Sequence, residues 1–107
     1  MKKLEPPPHL SREGKKWWQL ITTEYRLDDQ AGKLLLQTAM ESFDRMREAQ
    51  AAIDADGALI RDRFEQLQPH PMLRVETSSR AQMLAALKAL HLDIEPLRDS
   101  AGRPPGT

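Results

Sequence analysis

From Asp28 to Gly57 the chain runs DDQAGKLLLQTAMESFDRMREAQAAIDADG, without a proline and closing on a glycine. Along it Gly32, Leu36, Ala39, Phe43, Met46, Gln50 and Ile53 recur at alternating steps of four and three. That repeat draws a narrow seam along one side of a helix, the spacing expected where one helix packs lengthwise on another. With a rise of 1.5 Å per residue the rod is roughly 40 Å long, too long for one small partner to cover. Asp28 or Asp29 offers a side-chain acceptor to the free N–H groups of the first turn, and its charge suits the positive helix end. Gly57 is placed to take the left-handed conformation that closes a helix. Leu34, Leu35 and Leu36 point in three directions around the rod, so its apolar surface exceeds what two shorter helices can cover. A remainder of that kind marks an interface with another copy.

The rest of the chain supplies the covers. Met1 to His9 contains Pro6, Pro7 and Pro8, which lack amide donors and favour an extended conformation, so this stretch is an arm. Ser11 is a helix cap, and Leu10 before it can fold back as a hydrophobic staple. From Arg12 to Glu24 the pattern is helical, with Trp17 and Ile21 four apart and Trp18 and Tyr25 seven apart. Adjacent tryptophans cannot share a direction; one is expected in the core and the other at a boundary or interface. Stacking on a nucleic-acid base is open to a tryptophan, but a core short of aromatics has the stronger need of them. After Gly57, residues Leu59, Ile60, Phe64 and Leu67 suggest one short strand within 58–67, ending before Pro69. A lone strand is unstable and needs a partner from the C-terminal segment or a neighbouring subunit. Pro71 suits the first position of a third helix running to His91. Its apolar stripe is Leu73, Leu84, Leu87 and Leu90, with Ala81 and Ala85 allowing close approach, while Thr77, Ser78 and Ser79 weaken its first half. The expectation is a mainly α fold: helices near 11–25, 29–56 and 71–91 and one short strand. Residues 1–9 form the arm, 10–95 the helical domain around the central helix 28–57, and 96–107 a flexible Pro/Gly tail.

Length and composition narrow the function. A chain of 107 residues is one domain with a modest core. It has no apolar run of membrane-spanning length and no apolar signal core at its N-terminus. Cysteine is absent, which removes disulfides, thiol nucleophiles and cysteine zinc sites. His9, His70 and His91 are scattered, and His70 between two prolines reads as a rigid turn rather than a ligand. Gly32-Lys33 lacks the strand and glycines of a phosphate loop. Glu41, Asp44 and Glu48 share a helical face, but Arg45 and Arg47 interleave with them, so surface ion pairing is expected there. No catalytic residue, metal or cofactor follows from these patterns.

Net charge is zero but unevenly spread. Residues 1–27 carry a net +3, residues 28–57 a net −4 and the remainder +1. Nucleic-acid contact is therefore expected from Lys2, Lys3, Arg12, Lys15 and Lys16, and not from the acidic rod. Arg61 and Arg63 form a second locus, offset by Asp62 and Glu65. A simple helix-turn-helix is disfavoured, because the rod in the recognition position carries the acidic excess.

The order of local signals resembles one family. PPPHLSREGKKWW, ITTEYRLDD, the alanine-rich helix ending in AIDADGALI, QPHPMLRVETSSR and LDIEPLRDSAGRPPG follow one another as in the short terminase small subunits of tailed phages. The match runs from about Pro6 to Gly106. The resemblance implies a non-catalytic adaptor that assembles into a ring, binds double-stranded DNA at the packaging start, and hands it to the large subunit, the ATPase and nuclease. It implies action in the cytoplasm of the bacterial host, from a phage or a phage-derived island, with any C-terminal segment for the large subunit abbreviated. Core and oligomer contacts are expected from Leu34, Leu35, Leu36, Phe43, Met46 and Ile53. The alternative is a small helical regulator, a dimeric repressor or antitoxin; native mass separates a dimer from a larger ring.

Overall fold

The computed structural model describes residues 4–27 and 29–90. Three helices, α1 (Arg12–Glu24), α2 (Gln30–Asp56) and α3 (Met72–Ala89), frame two short strands, β1 (Leu59–Arg61) and β2 (Leu67–Pro69). Lys2, Lys3, Asp28, His91 and the 96–107 tail lie outside the described residues.

The long helix begins where a carboxylate can cap it. Oδ1 of Asp29 accepts the Gly32 N–H at 2.9 Å, satisfying a donor that the first turn would leave free. Gly57 ends it, its N–H bonded to the Ile53 carbonyl at 2.7 Å. Its φ of 88° is positive as expected, but its ψ of 154° lies beyond the left-handed helical region. That is the mirror-extended region which essentially only glycine enters, and it swings the chain straight out of the helix into β1.

The seam is buried. Leu36 and Ala39 are fully enclosed, Phe43 and Met46 nearly so, and Gln50 and Ile53 partly. Met40, Ser42 and Ala49 are buried as well, so the covered stripe is wider than a coiled-coil seam. Two helices share the work of covering it. α3 packs along α2, while α1 folds back on it, with Ser11 at Asp44 and the Leu27 side chain against Gly32. Of the three leucines, Leu36 is enclosed, Leu35 is half-buried and Leu34 is exposed.

The face of α3 that meets α2 differs from the expected stripe. Ser79 and Ala86 are buried, with Met83, Leu87 and Leu90 packed beside them. Leu84 is 55% exposed, and Ala81 and Ala85 face outward too. Positions 79, 83, 86, 87 and 90 follow the helical three-and-four spacing; the expected stripe combined two faces. One of the two buried residues of α3 is Ser79, from the triplet expected to weaken the helix. That triplet does not break it, and the Thr77 hydroxyl donates back to the Leu73 carbonyl at 3.1 Å.

The stretch expected to form one strand ending before Pro69 forms two, with Phe64 in the turn between them and Pro69 inside the second. β1 pairs antiparallel with β2, Leu59 opposite Pro69, Ile60 opposite Gln68 and Arg61 opposite Leu67. Neither the C-terminal segment nor a second copy supplies the pairing. The turn between the strands lacks glycine and proline. Asp62 builds it instead, its Oδ1 accepting the Phe64 N–H at 2.8 Å and the Gln66 N–H at 3.0 Å. Glu65 takes a φ of 64°, unusual for a residue with a side chain. Pro69, which has no N–H to give, is tolerated because both strands of the ribbon are edges, and the His70 N–H then bonds to the Ala58 carbonyl at 2.8 Å.

His70 joins the ribbon to α3. It is buried, its Nδ1 accepting the Met72 N–H at 3.0 Å, so the proton sits on Nε2 and is donated to Oδ2 of Asp56 at 2.9 Å. One ring thereby ties the end of α2 to the start of α3. None of the helices described is long and apolar enough to cross a membrane.

The packing separates two truncations. Phe43→Ala is expected to cost about 3–5 kcal/mol of unfolding free energy, and Leu84→Ala no more than about 0.5 kcal/mol, both by urea denaturation. Similar losses for the two would show that the seam is misplaced.

Candidate nucleic-acid interface

The cations of α1 fall on one side because its other side is occupied. Gly14 and Trp18 are buried against α2. A Cβ on Gly14 would sit 2.6 Å from Oδ1 of Asp44, so a side chain there would displace the carboxylate that holds Ser11. By helical spacing Arg12, Lys16 and Gln19 turn away from that side, while Lys15, three residues before Trp18, lies at its flank; Arg12, Lys16 and Gln19 are exposed and Lys15 is half-buried. Among the described residues none of the three cations is in an ion pair. Their charge is thus presented outward as a short row one or two turns long. Trp18 is 3% exposed and Trp17 42%: one tryptophan in the core, one at the boundary.

The acids of α2 are engaged differently from the expected ion pairs with Arg45 and Arg47. Asp44 receives both the N–H and the hydroxyl of Ser11, while Ser11 Oγ in turn accepts the Gly14 N–H at 2.9 Å. Glu41 meets Nε2 of His9 at 2.6 Å and accepts from Gln37 at 3.0 Å. Among the described residues Arg45 is in an ion pair with Glu48, at 3.9 Å on the exposed surface. Arg47 reaches Glu13 of α1 at 3.2 Å and lies over the Phe43 ring. The reason is positional. The start of α1 and the arm before it lie across this face, and a helix start needs acceptors more than an exposed arginine needs a partner. The arm is further held by the Trp18 Nε1–H, which donates to the Leu4 carbonyl at 3.2 Å.

The second basic locus is the ribbon. Arg61 donates to the Glu65 carbonyl at 2.9 Å and Arg63 lies 5.2 Å over the Phe64 ring. Asp62 is held below the usual aspartate range, chiefly by the Gln66 N–H against a smaller opposing desolvation, so its charge serves the turn. Sequence reasoning placed Leu59, Phe64 and Leu67 on one strand and missed that all three are exposed. The signal was weak: Phe64 breaks the alternation that a half-buried strand shows. The histidines are spread apart, His9 on Glu41 and His70 on Asp56, and no cluster with metal-binding composition occurs among the described residues.

A family model described as phage terminase, small subunit, matches residues 14–100. No curated protein and no solved structure matches the chain.

The arm clamp is expected to respond to acid. Hydrogen bonds from Gln37 and then His9 hold the Glu41 carboxyl below the usual glutamate range, against a smaller desolvation that raises it. A carboxyl depressed in the folded state stabilises the fold above its unfolded value near 4.5, and that contribution is lost as pH falls through the folded value. Glu41→Gln should therefore be the less stable protein at about pH 6 and approach the parent at about pH 3, by thermal denaturation. A gap that stays constant across this range would mean that Glu41 does not titrate with folding.

Proposed function

The chain belongs to the phage terminase small subunit family, and from that membership we propose a non-catalytic packaging adaptor. It binds double-stranded viral DNA at the packaging-start region and delivers it to the large terminase subunit in the host cytoplasm. The observation that carries the DNA-binding part is the outward row of Arg12, Lys15 and Lys16 on α1, uncompensated among the described residues. Lys2 and Lys3, earlier in the sequence, are assigned to the same contact on charge alone.

Five cations on one copy of a neutral protein make a weak clamp. Repeated around a ring, the assembly in which we place this chain, they make a basic collar, with the acids of α2 turned to the arm. Contacts of this kind grip phosphates and position a duplex without identifying bases. Preference for a packaging site then comes from the bending or shape of the DNA. Catalysis is assigned to the large subunit.

A titration against duplex DNA at two salt concentrations tests this. Affinity should fall with salt at a log–log slope near −0.9 for each phosphate contact. In Lys15→Ala, Lys16→Ala protein both the affinity and the slope should fall. Unchanged affinity and slope in the double variant would remove α1 as the binding face.

A further inference from the structure

Two apolar surfaces lie at opposite ends of α2 without a cover among the described residues. At the C-terminal end stands the β1–β2 ribbon. By register Leu59 and Leu67 share one of its faces, with Phe64 at the tip, and the three are 58%, 57% and 69% exposed. A two-stranded ribbon with its apolar side chains in water is marginal at best. At the N-terminal end a groove of about 670 Å³ runs between the arm and α2, walled by Leu4, Pro7, Trp18 and Leu34 and rimmed by Glu5 and Lys33. From Leu34 to the ribbon is roughly 30 Å along the helix.

The geometry points to a head-to-tail contact between copies of this chain, in which the ribbon of one, led by Phe64, seats in the arm groove of the next. Charge fits this pairing. The ribbon tip carries Arg63 and Glu65, the groove rim Glu5 and Lys33, and none of the four is in an ion pair among the described residues. Arg63 can meet Glu5 while Glu65 meets Lys33. α3 ends at Leu90, beside Leu27 and Leu35 at the α1–α2 turn, the end of α2 away from the ribbon. A ribbon-to-ribbon contact would leave the groove empty, whereas ribbon-in-groove covers both surfaces at once. Because the two surfaces differ, the contact repeats from copy to copy and closes as a ring or continues as a filament. The inference rests on the oligomeric part of the packaging reading and is independent of DNA binding.

Mixing two variants tests it. Phe64→Glu spoils the ribbon and leaves the groove; Leu34→Glu spoils the groove and leaves the ribbon. Both positions are exposed, so helicity by circular dichroism should match the parent. In sedimentation velocity the parent should assemble beyond a dimer and each variant alone should be a monomer. An equimolar mixture should give a one-to-one heterodimer, since one intact ribbon then meets one intact groove. Lys33→Glu should weaken assembly at least tenfold, and adding Glu65→Lys in the same chain should restore it. Variants that assemble like the parent, or a mixture that stays monomeric, overturn the contact. So does loss of assembly on removing residues 91–107 while Phe64→Glu still assembles, which makes that segment the occupant. A monomeric parent that still binds DNA overturns the contact alone; heterodimers from a protein that does not bind DNA overturn the packaging reading alone.

Discussion

The apolar stripe of α2 must be kept from water, and none of the other elements described is long enough to do it. α2 has 27 residues, α3 has 18 and α1 has 13. At 1.5 Å per residue the longer cover falls roughly 13 Å short of the rod. Two helices must therefore divide the stripe, and both must be fixed against it by contacts other than their own apolar faces. α3 is fixed through His70 to Asp56 and through Gln50 to Glu76. α1 is fixed through Ser11 to Asp44 and through Glu13 to Arg47. The buried core spans all three helices and includes Leu10 from the arm, because each leaves part of α2 open for the next.

The same shortage of cover decides where charge goes. Asp44 and Glu41 sit on α2 where the arm and the first turn of α1 cross it, and both are used there. A negative side chain at the start of a helix also meets the positive end of its dipole. With Asp44 and Glu41 engaged by the arm and the first turn of α1, the cations of α1 are left without an ion pair among the described residues. The net charge of zero conceals that separation, which a per-segment charge count already suggested and the hydrogen bonds explain.

The course of α2 was legible in the sequence because a period sustained over many residues leaves little room for another structure. The tryptophan pair and the Ser11 cap were legible for the same local reasons. Three features were not. The buried face of α3 includes Ser79, a residue whose polarity argues against burial in a reading by residue type. The β-hairpin turn depends on the Asp62 side chain replacing main-chain acceptors, in a stretch with none of the glycine or proline that usually announces a turn. The roles of Glu41 and Asp44 depend on residues more than thirty positions earlier in the chain, beyond the reach of any helical-face pattern. For the candidate interface, residue types and local charge singled out Arg12, Lys15 and Lys16. The burial of Gly14 and Trp18 accounts for Arg12 and Lys16 pointing outward, with Lys15 at the flank.

Trp17 and Trp18 are neighbours in sequence and strangers in environment. Trp18 is enclosed, and its indole N–H is bonded to the carbonyl of Leu4 on the arm, whereas Trp17 is partly in solvent. The molecule therefore carries a built-in optical gauge of its own arm. Lifting the arm would wet one indole and leave the other as it was, shifting the blue component of the emission alone. The arm leads directly into the cations of α1, so the same signal would register whatever engages this end of the molecule, with no dye or label attached.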